Sequence, residues 1–154
     1  MNKLDATDRQ IVMLLQQDGR LTIQNLSEKI NLSPTPCLRR VRQLEKAGIL
    51  TGYTAIVNEE AYGLPITALV RIRLERHSEA SVQAFEQSVG VIDDIMDCYV
   101  MAGDADYLLR VLVSSLRDYE RFVRDKLQKI GGIASIETSF AYGMVKRSKV
   151  FPRL

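Results

Sequence analysis

The stretch Leu32–Leu50 reads LSPTPCLRRVRQLEKAGIL and decides the fold of the N-terminal part of the chain. Ser33 has a side chain that suits a helix N-cap, because its oxygen can accept a hydrogen bond from a backbone N–H of the first turn. Pro34 suits the first helical position, where a missing N–H removes no intrahelical bond. The pattern predicts a helix that runs to about Ala47 and stops at Gly48.

This predicted helix has two unlike sides. At about 100° per residue, Leu38, Val41 and Leu44 share an apolar side suited to a core. The opposite side is basic and amide-bearing: it is centred on Pro36, Arg39, Gln43 and Lys46, with Arg40 and Arg42 on its shoulders. Since the whole chain has a net charge of only +2, this one helix concentrates the positive excess.

Two shorter predicted helices precede it. The first spans Ala6–Gln17 with Asp5 as N-cap, and the second begins at Thr22 and ends near Asn31. The β-branched stretch Ile49–Val57 that follows predicts a short hairpin or wing. Three short helices with a basic third helix are typical of a helix-turn-helix, whose third helix enters the major groove of DNA.

The basic side therefore predicts contacts to DNA. Thr35, Arg39 and Gln43 are predicted to reach base edges, because Arg binds guanine and Gln binds adenine through two hydrogen bonds. Phosphate contacts are predicted for three further cations, Arg40, Arg42 and Lys46. The start of the helix, at Ser33, Pro34 and Thr35, is also predicted to contact a phosphate. The alternative is a solvated helix face, and the helix-turn-helix spacing with its wing favours DNA.

The second half of the chain has a β-α-β-β-α-β pattern after a hinge at Ala61–Pro65. The predicted strands are Ile66–Leu74, Ile95–Met101, Tyr107–Val113 and Ile133–Tyr142, and the predicted helices are Glu79–Val89 and Leu116–Ile130. This order predicts an antiparallel sheet with helices on one face, the ferredoxin-like α+β arrangement. We therefore predict two domains, over residues 1–63 and 64–154.

Composition excludes several classes of protein. Of the 154 residues, 46% are hydrophobic and 26% are charged, which are ordinary values for a globular chain. The uncharged stretch Ala47–Asn58 is too short for a membrane span, which needs about 20 apolar residues, and MNKLDATDRQ lacks the apolar core of a signal peptide. We expect a cytoplasmic protein that has no membrane association.

Reactive and metal-binding residues are few. Cys37 and Cys98 form neither a close pair nor a disulfide framework, and His77 is the single histidine. The aspartates between Asp93 and Asp106 fit no calcium-loop spacing. We expect no metal site and no catalysis. The competing hypothesis is a small ferredoxin-like enzyme, with Cys37 as nucleophile near a helix N-terminus or Asp106 as acid and base.

Three stretches together carry a family resemblance. LSPTPCLRRVRQLEKAGIL followed by GYTA, LDATDRQIVMLLQQDGRLT at Leu4–Thr22, and MAGDADYLLRV at Met101–Val111 resemble the Lrp/AsnC family of bacterial and archaeal regulators over essentially the whole chain. The resemblance implies a winged helix-turn-helix joined to a ligand-sensing α+β domain, acting in sequence-specific transcription regulation. It places the DNA-binding element at about Ile23–Arg42, with four residues matching the recognition helix: Thr35, Arg39, Arg40 and Arg42.

The same resemblance implies a small effector, an amino acid such as leucine, and no other cofactor. It places the effector near the loop residues Gly103, Asp104 and Asp106 and near the last strand, where the matching residues are Ser139, Phe140 and Ala141. A loop carboxylate can pair with the effector's ammonium group, and backbone N–H groups near Gly103 can bind its carboxylate. Ala105 replaces an aromatic residue of a leucine-responsive member, which leaves the effector open. The alternative for the loop is a plain polar turn.

Assembly is the last prediction. Tyr107–Val113 and Leu69 supply more apolar side chains than one covered sheet face needs, so a homodimer that pairs two sheets is favoured. The resemblance implies further assembly, often into octamers around which double-stranded DNA wraps. A remaining hypothesis is a nucleoid-like DNA-architectural protein that has no effector response.

Overall fold

The computed structural model describes residues 4–152, which form two compact units. One unit comprises the described residues up to Ile56 together with those from Val145 onward, and the other comprises Val57–Met144. The boundary predicted at residues 63 and 64 lies inside the second unit. The C-terminal segment belongs with the helices of the first unit, so the chain passes from one unit to the other twice.

Three helices build the first unit, and each begins close to the predicted residue. They are α1 (Ala6–Gln17), α2 (Ile23–Lys29) and α3 (Pro34–Lys46). Oγ1 of Thr22 caps α2 by accepting a hydrogen bond from the Asn25 N–H at 3.1 Å. Asn31 has φ +52° between α2 and α3, a left-handed conformation that asparagine tolerates better than most residues. The tight turn of the helix-turn-helix is thereby made.

The core of this unit is apolar and contains the following buried residues: Ile11, Leu15, Leu26, Ile30, Cys37, Val41 and Leu44. The apolar side of α3 is thus formed by Cys37, Val41 and Leu44. Leu38, predicted to face the core, is only half-buried. The small thiol of Cys37 is fully buried in its place, so the buried side of α3 is rotated from the predicted one.

The hairpin predicted at Ile49–Val57 is not observed. Within the described chain, residues 51–58 adopt no regular secondary structure, and Ile56 and Val57 are 60% and 54% exposed. An isolated two-stranded hairpin is marginal in water, because it needs a third strand or a helix to cover its apolar face. β-Branched residues alone therefore did not produce strands here.

The C-terminal segment returns to the outer side of α1. The Phe151 N–H donates a hydrogen bond to Oε1 of Gln16 at 3.2 Å. A groove of about 580 Å³ lies beside this contact. Its apolar lining comes from Leu4, Ala6, Val12, Met13, Ile49, Phe151 and Pro152. The segment is thus attached to the first unit at its end.

The second unit is a four-stranded sheet covered by helices. Its elements are β1 (Ile66–Leu74), α4 (Glu79–Val89), β2 (Ile95–Val100), β3 (Tyr107–Val113), α5 (Leu116–Asp125) and β4 (Ile133–Ala141). The strand order is β2-β3-β1-β4, with every neighbouring pair antiparallel. The predicted ferredoxin-like α+β fold is confirmed. The predicted helix to Ile130 ends earlier, at Asp125, and a 3-10 turn follows at Leu127–Lys129.

Side chains alternate between the two faces of the sheet. In β1, Ala68, Val70 and Ile72 are fully buried toward the helices. Leu69 lies on the open face and is 36% exposed. None of the helices between residues 4 and 152 is long and apolar enough to cross a membrane.

Candidate nucleic-acid interface and ligand site

The outer side of α3 presents polar groups suited to a DNA groove. Five exposed residues lie opposite the buried thiol and its neighbours: Thr35, Arg39, Arg42, Gln43 and Lys46. These five include three cations and no acid. Glu45 lies next to Lys46 in sequence, and its Oε1 accepts a hydrogen bond from the Tyr53 hydroxyl at 3.0 Å. The predicted base-contacting and phosphate-contacting residues are thus grouped on one face, with the exception of Arg40.

The N-terminus of α3 is open. Ser33 occupies the N-cap by its backbone, but its side chain makes no capping hydrogen bond. The predicted capping bond is therefore absent at this described residue. Pro34 and Thr35 are exposed in the first turn. Pro34 and Pro36 have no N–H, and the Cys37 N–H donates to the Ser33 carbonyl oxygen. Among these described residues of the first turn, the Thr35 N–H is therefore the one backbone donor left for a phosphate oxygen.

Arg40 departs from the predicted role. Its Nη1 lies 2.7 Å from Oδ2 of Asp5 and 2.7 Å from Oδ1 of Asp8. The hydrogen bonds that Arg40 donates to Asp5 and then to Asp8 raise the pKa of Arg40. The predicted phosphate contact does not fit this geometry, because two carboxylates of α1 already neutralise the guanidinium.

Asp106 lies in the predicted effector loop, and both of its carboxylate oxygens have partners. Oδ2 accepts a hydrogen bond from the Leu74 N–H at 2.7 Å, and Oδ1 lies 2.8 Å from Nε2 of His77. The Leu74 N–H, followed by His77, lowers the pKa of this carboxyl group. Asp106 therefore closes the loop onto the end of β1, which does not fit the prediction that it binds an effector ammonium group.

The rest of the loop is accessible. Gly103 has φ +131°, a conformation that favours glycine, and Asp104 is exposed. Ala105, the residue that departs from the leucine-responsive pattern, is half-buried. Asp104 is therefore the loop carboxylate that remains available for an ammonium group.

The three predicted residues of β4 do not share a face. Ser139 pairs with Leu69 on the open face. Phe140 pairs with Ala68 on the helix-covered face, where its ring meets that of Tyr119 edge-on at 5.0 Å. Ala141 is on the same side of β4 as Ser139 and is exposed. The single wall predicted from these three residues is thus divided between two faces of the sheet.

The loop and these β4 residues also lie at different positions along β1: the loop meets the second half of the strand, whereas Ser139 and Ala141 pair with the first half. Asp106 is bonded at Leu74, whereas Ser139 pairs with Leu69. The Asp106 N–H also donates to the Ile72 carbonyl oxygen. The separation from Leu69 is therefore three to five residues, roughly 10–16 Å along the strand at about 3.3 Å per residue. The predicted effector residues are not brought together within one copy of the chain.

Three partner residues were missed from the sequence: Asp5 and Asp8, which bind Arg40, and His77, which contacts Asp106. Asp5 and Asp8 are three residues apart, about one turn of helix, and this spacing indicates that they could bind one cation together. The spacing does not indicate which cation that is. The contact of His77 with Asp106 depends on the strand register, which no local pattern reveals.

The hypothesis of a catalytic Cys37 does not fit the structure. Cys37 has no exposed surface, and burial raises the pKa of its thiol. A nucleophilic cysteine needs a lowered thiol pKa and a side chain that a substrate can reach.

Two aspartates of the stretch between Asp93 and Asp106 form ion pairs. Asp97 pairs with Arg110, and Asp94 pairs with Lys126.

Comparison with known proteins identifies a DNA-binding part and a ligand-binding part in this chain. A family model described as Lrp/AsnC ligand binding domain matches residues 67–151, and one described as winged helix-turn-helix DNA-binding matches residues 4–51. The chain is 36% identical to the DNA-binding transcriptional activator DecR of Escherichia coli strain K12, over 97% of this chain and 98% of that protein. It is 36% identical to the leucine-responsive regulatory protein of the same strain, over 94% of this chain and 88% of that one.

A solved structure is similar throughout. It is a transcriptional regulator of Neisseria meningitidis in complex with L-methionine, 35% identical, with a TM-score of 0.92 over 97% of both chains.

Proposed function

The chain belongs to the Lrp/AsnC family of DNA-binding transcription regulators, and from that premise we propose that it binds specific double-stranded DNA sequences under the control of an amino-acid effector. The observation that carries the DNA part is the exposed side of α3. Arg39 and Gln43 offer paired hydrogen bonds to base edges, and Arg42 and Lys46 supply charge for phosphates.

The effector part of the proposal draws on the ligand-binding domain. The regulator from Neisseria meningitidis was solved with L-methionine, which supports an amino acid as the class of ligand. We assign recognition of the ammonium group to Asp104 and recognition of the carboxylate to backbone N–H groups near Gly103. Because Ser139 and Ala141 pair with the first half of β1 and the loop meets its second half, we propose that a site using both regions takes them from two copies of the chain.

Assembly of copies follows from the open face of the sheet. Leu69, Tyr99 and Leu108 lie on that face by strand register, and Tyr99 is 53% exposed. We propose that a second copy covers this face in a homodimer, and that dimers assemble further into octamers. Two copies of α3 would then read half-sites about one helical turn of DNA apart. An effector that binds one assembly state more tightly shifts the population toward that state.

The proposal has a two-part test. Operator sequences are first selected from a random DNA library by the full chain, and affinity for the selected duplex is measured from 50 to 300 mM salt. We expect affinity to fall steeply with salt, because bound cations release counterions from DNA; flat binding would contradict the DNA part.

The second part measures thermal unfolding in the presence of each of the twenty amino acids, since a ligand of the native state raises the melting temperature. We expect at least one amino acid to do so and also to change operator binding. DNA binding that is indifferent to all twenty would instead identify an architectural DNA-binding protein.

A further inference from the structure

We propose that Arg40 is a positioning residue of the recognition helix α3: by holding the first turn of α1, it sets the rotation of α3 on which sequence discrimination depends. This inference rests on the proposed binding of specific DNA. It assigns Arg40 a role different from that of Arg39 and Arg42, although all three cations lie within four residues of one helix.

The contacts use every oxygen of two carboxylates. Oδ1 of Asp5 accepts the Asp8 N–H at 2.7 Å, and Oδ2 of Asp8 accepts the Asp5 N–H at 3.3 Å, so the two residues form a capping box. The remaining oxygens, Oδ2 of Asp5 and Oδ1 of Asp8, both accept from Nη1 of Arg40. One oxygen of each carboxylate thus accepts a backbone N–H at the start of α1, and the other oxygen binds Arg40 of α3.

This arrangement differs from an ordinary surface ion pair. Side chains on a surface are usually free to move, and the entropy lost on pairing cancels much of the gain. Here the backbone of α1 already orients both carboxylates, so Arg40 binds to a preorganised pair of acceptors. The Asp8 side chain is only 20% exposed and that of Arg40 is 30% exposed. The contact therefore acts between two helices as a directional link.

A directional link is what the apolar core lacks. Close packing of Val41 and Leu44 limits large rotations of α3. The hydrophobic attraction itself is non-directional, so a hydrogen-bonded ion pair adds a constraint on small rotations about the helix axis. The side-chain surface of a helix lies about 5–6 Å from the axis, so a rotation of about 10° moves it by about 1 Å. That displacement exceeds the tolerance of a hydrogen bond to a base edge. Arg39 and Gln43 would lose their alignment first.

Phosphate attraction depends much less on this rotation, because it falls off slowly with distance and needs no fixed geometry. Loss of the link should therefore weaken binding to the specific sequence and leave binding to random DNA nearly unchanged. A phosphate-contacting arginine has the opposite signature: its loss weakens both and lowers the salt slope by about 1.

The experiment compares three variants of the full chain: Arg40→Gln, Asp8→Asn and, as the matched control, Arg42→Gln. Affinities for the selected operator and for a random duplex of equal length are measured from 50 to 300 mM salt. For Arg40→Gln we expect at least tenfold weaker operator binding, less than twofold change on random DNA and an unchanged salt slope. For Arg42→Gln we expect both duplexes to bind more weakly, with a reduced slope.

Asp8→Asn gives the sharpest contrast, because it keeps every cation of α3. If Arg40 positions α3, this variant also loses operator binding. If Arg40 is a phosphate contact, releasing it from Asp8 strengthens binding to both duplexes, and this result overturns the inference. The inference is also overturned if Arg40→Gln weakens binding to both duplexes equally and reduces the salt slope.

The link can also be measured without DNA. Unfolding free energies of Arg40→Gln, Asp8→Asn and the double variant form a thermodynamic cycle, in which we expect the two changes to be clearly non-additive. Additive effects overturn the inference even if the wild-type chain binds no DNA. Failure of the wild-type chain to bind any duplex, with non-additive unfolding effects, contradicts the proposed function alone.

Discussion

Oδ2 of Asp106 accepts a hydrogen bond from the backbone N–H of Leu74 at 2.7 Å, and this contact closes the loop after β2 onto the end of β1. Leu74 is buried, so its N–H depends on this carboxylate as its hydrogen-bond acceptor. A loop that appears in the sequence as a plain polar turn is therefore held by a specific side chain.

Replacing this carboxylate should destabilise the second unit. We expect Asp106→Ala to lower the free energy of unfolding by about 1–3 kcal/mol, because the buried Leu74 N–H loses its acceptor. Urea denaturation followed by circular dichroism measures this change. His77→Ala is the matched control and should cost far less, since the His77 side chain is 67% exposed. Equal stability of Asp106→Ala and wild type would show that the contact contributes nothing.

A second prediction concerns acid stability. Hydrogen bonds from Ser114 and Ser115, followed by Arg121, lower the pKa of Asp118 from 3.8 to about 2. Because the folded pKa is the lower one, the stabilisation is complete above pH 3.8 and is lost as the pH falls from 3.8 through 2. Asp118→Asn should therefore be less stable than wild type at pH 6 and should approach it at pH 2. Chemical denaturation at these two pH values measures the difference, and an equal gap at both would contradict the assignment.

A third prediction concerns base recognition by α3. Arg39→Ala should weaken operator binding by about 1–3 kcal/mol if the guanidinium binds a guanine through two hydrogen bonds. Arg39→Lys is the matched variant, because it keeps the charge and loses the paired geometry. We expect the lysine variant to keep the salt slope and lose discrimination at one base position, as measured by selection from a randomised library. Unchanged base preference in both variants would place Arg39 on the phosphates.

A fourth prediction concerns the two thiols. Cys37 is fully buried and Cys98 is exposed on β2, so a thiol reagent should modify one cysteine in the native chain and two in urea. Cys98→Ser should remove the native reaction entirely. Rapid native modification of Cys37 would restore the nucleophile hypothesis, whereas retained DNA binding by Cys37→Ser would count against it.

Much of the fold was predictable because it depends on local patterns. Helix starts at Asp5 and Thr22 follow from side chains that cap within three residues. The alternation along Ile66–Leu74 reports one buried face directly. The hairpin predicted at Ile49–Val57 was wrong, because a two-stranded hairpin needs a further strand or a helix to cover it, and the local sequence does not show whether one is there.

The candidate site was predictable only in part. The exposed side of α3 follows from helical periodicity, and Thr35, Arg39 and Gln43 lie where the pattern puts them. Arg40 and Asp106 could not be assigned, because each is engaged by residues about 30 positions away. Charge alone indicates a possible ligand contact, but only the tertiary structure shows whether the protein's own groups have already taken it.

The return of the C-terminal segment to α1 has a practical consequence for protein engineering. The unit that contains α3 is discontinuous in the amino-acid sequence, since residues 145–152 belong to it together with the helices before Ile56. A fragment that ends at Ile56 would leave the apolar flank of α1 around Val12 and Met13 without its Phe151 neighbour. A chimera that exchanges the sensor for that of another regulator therefore needs two junctions instead of one.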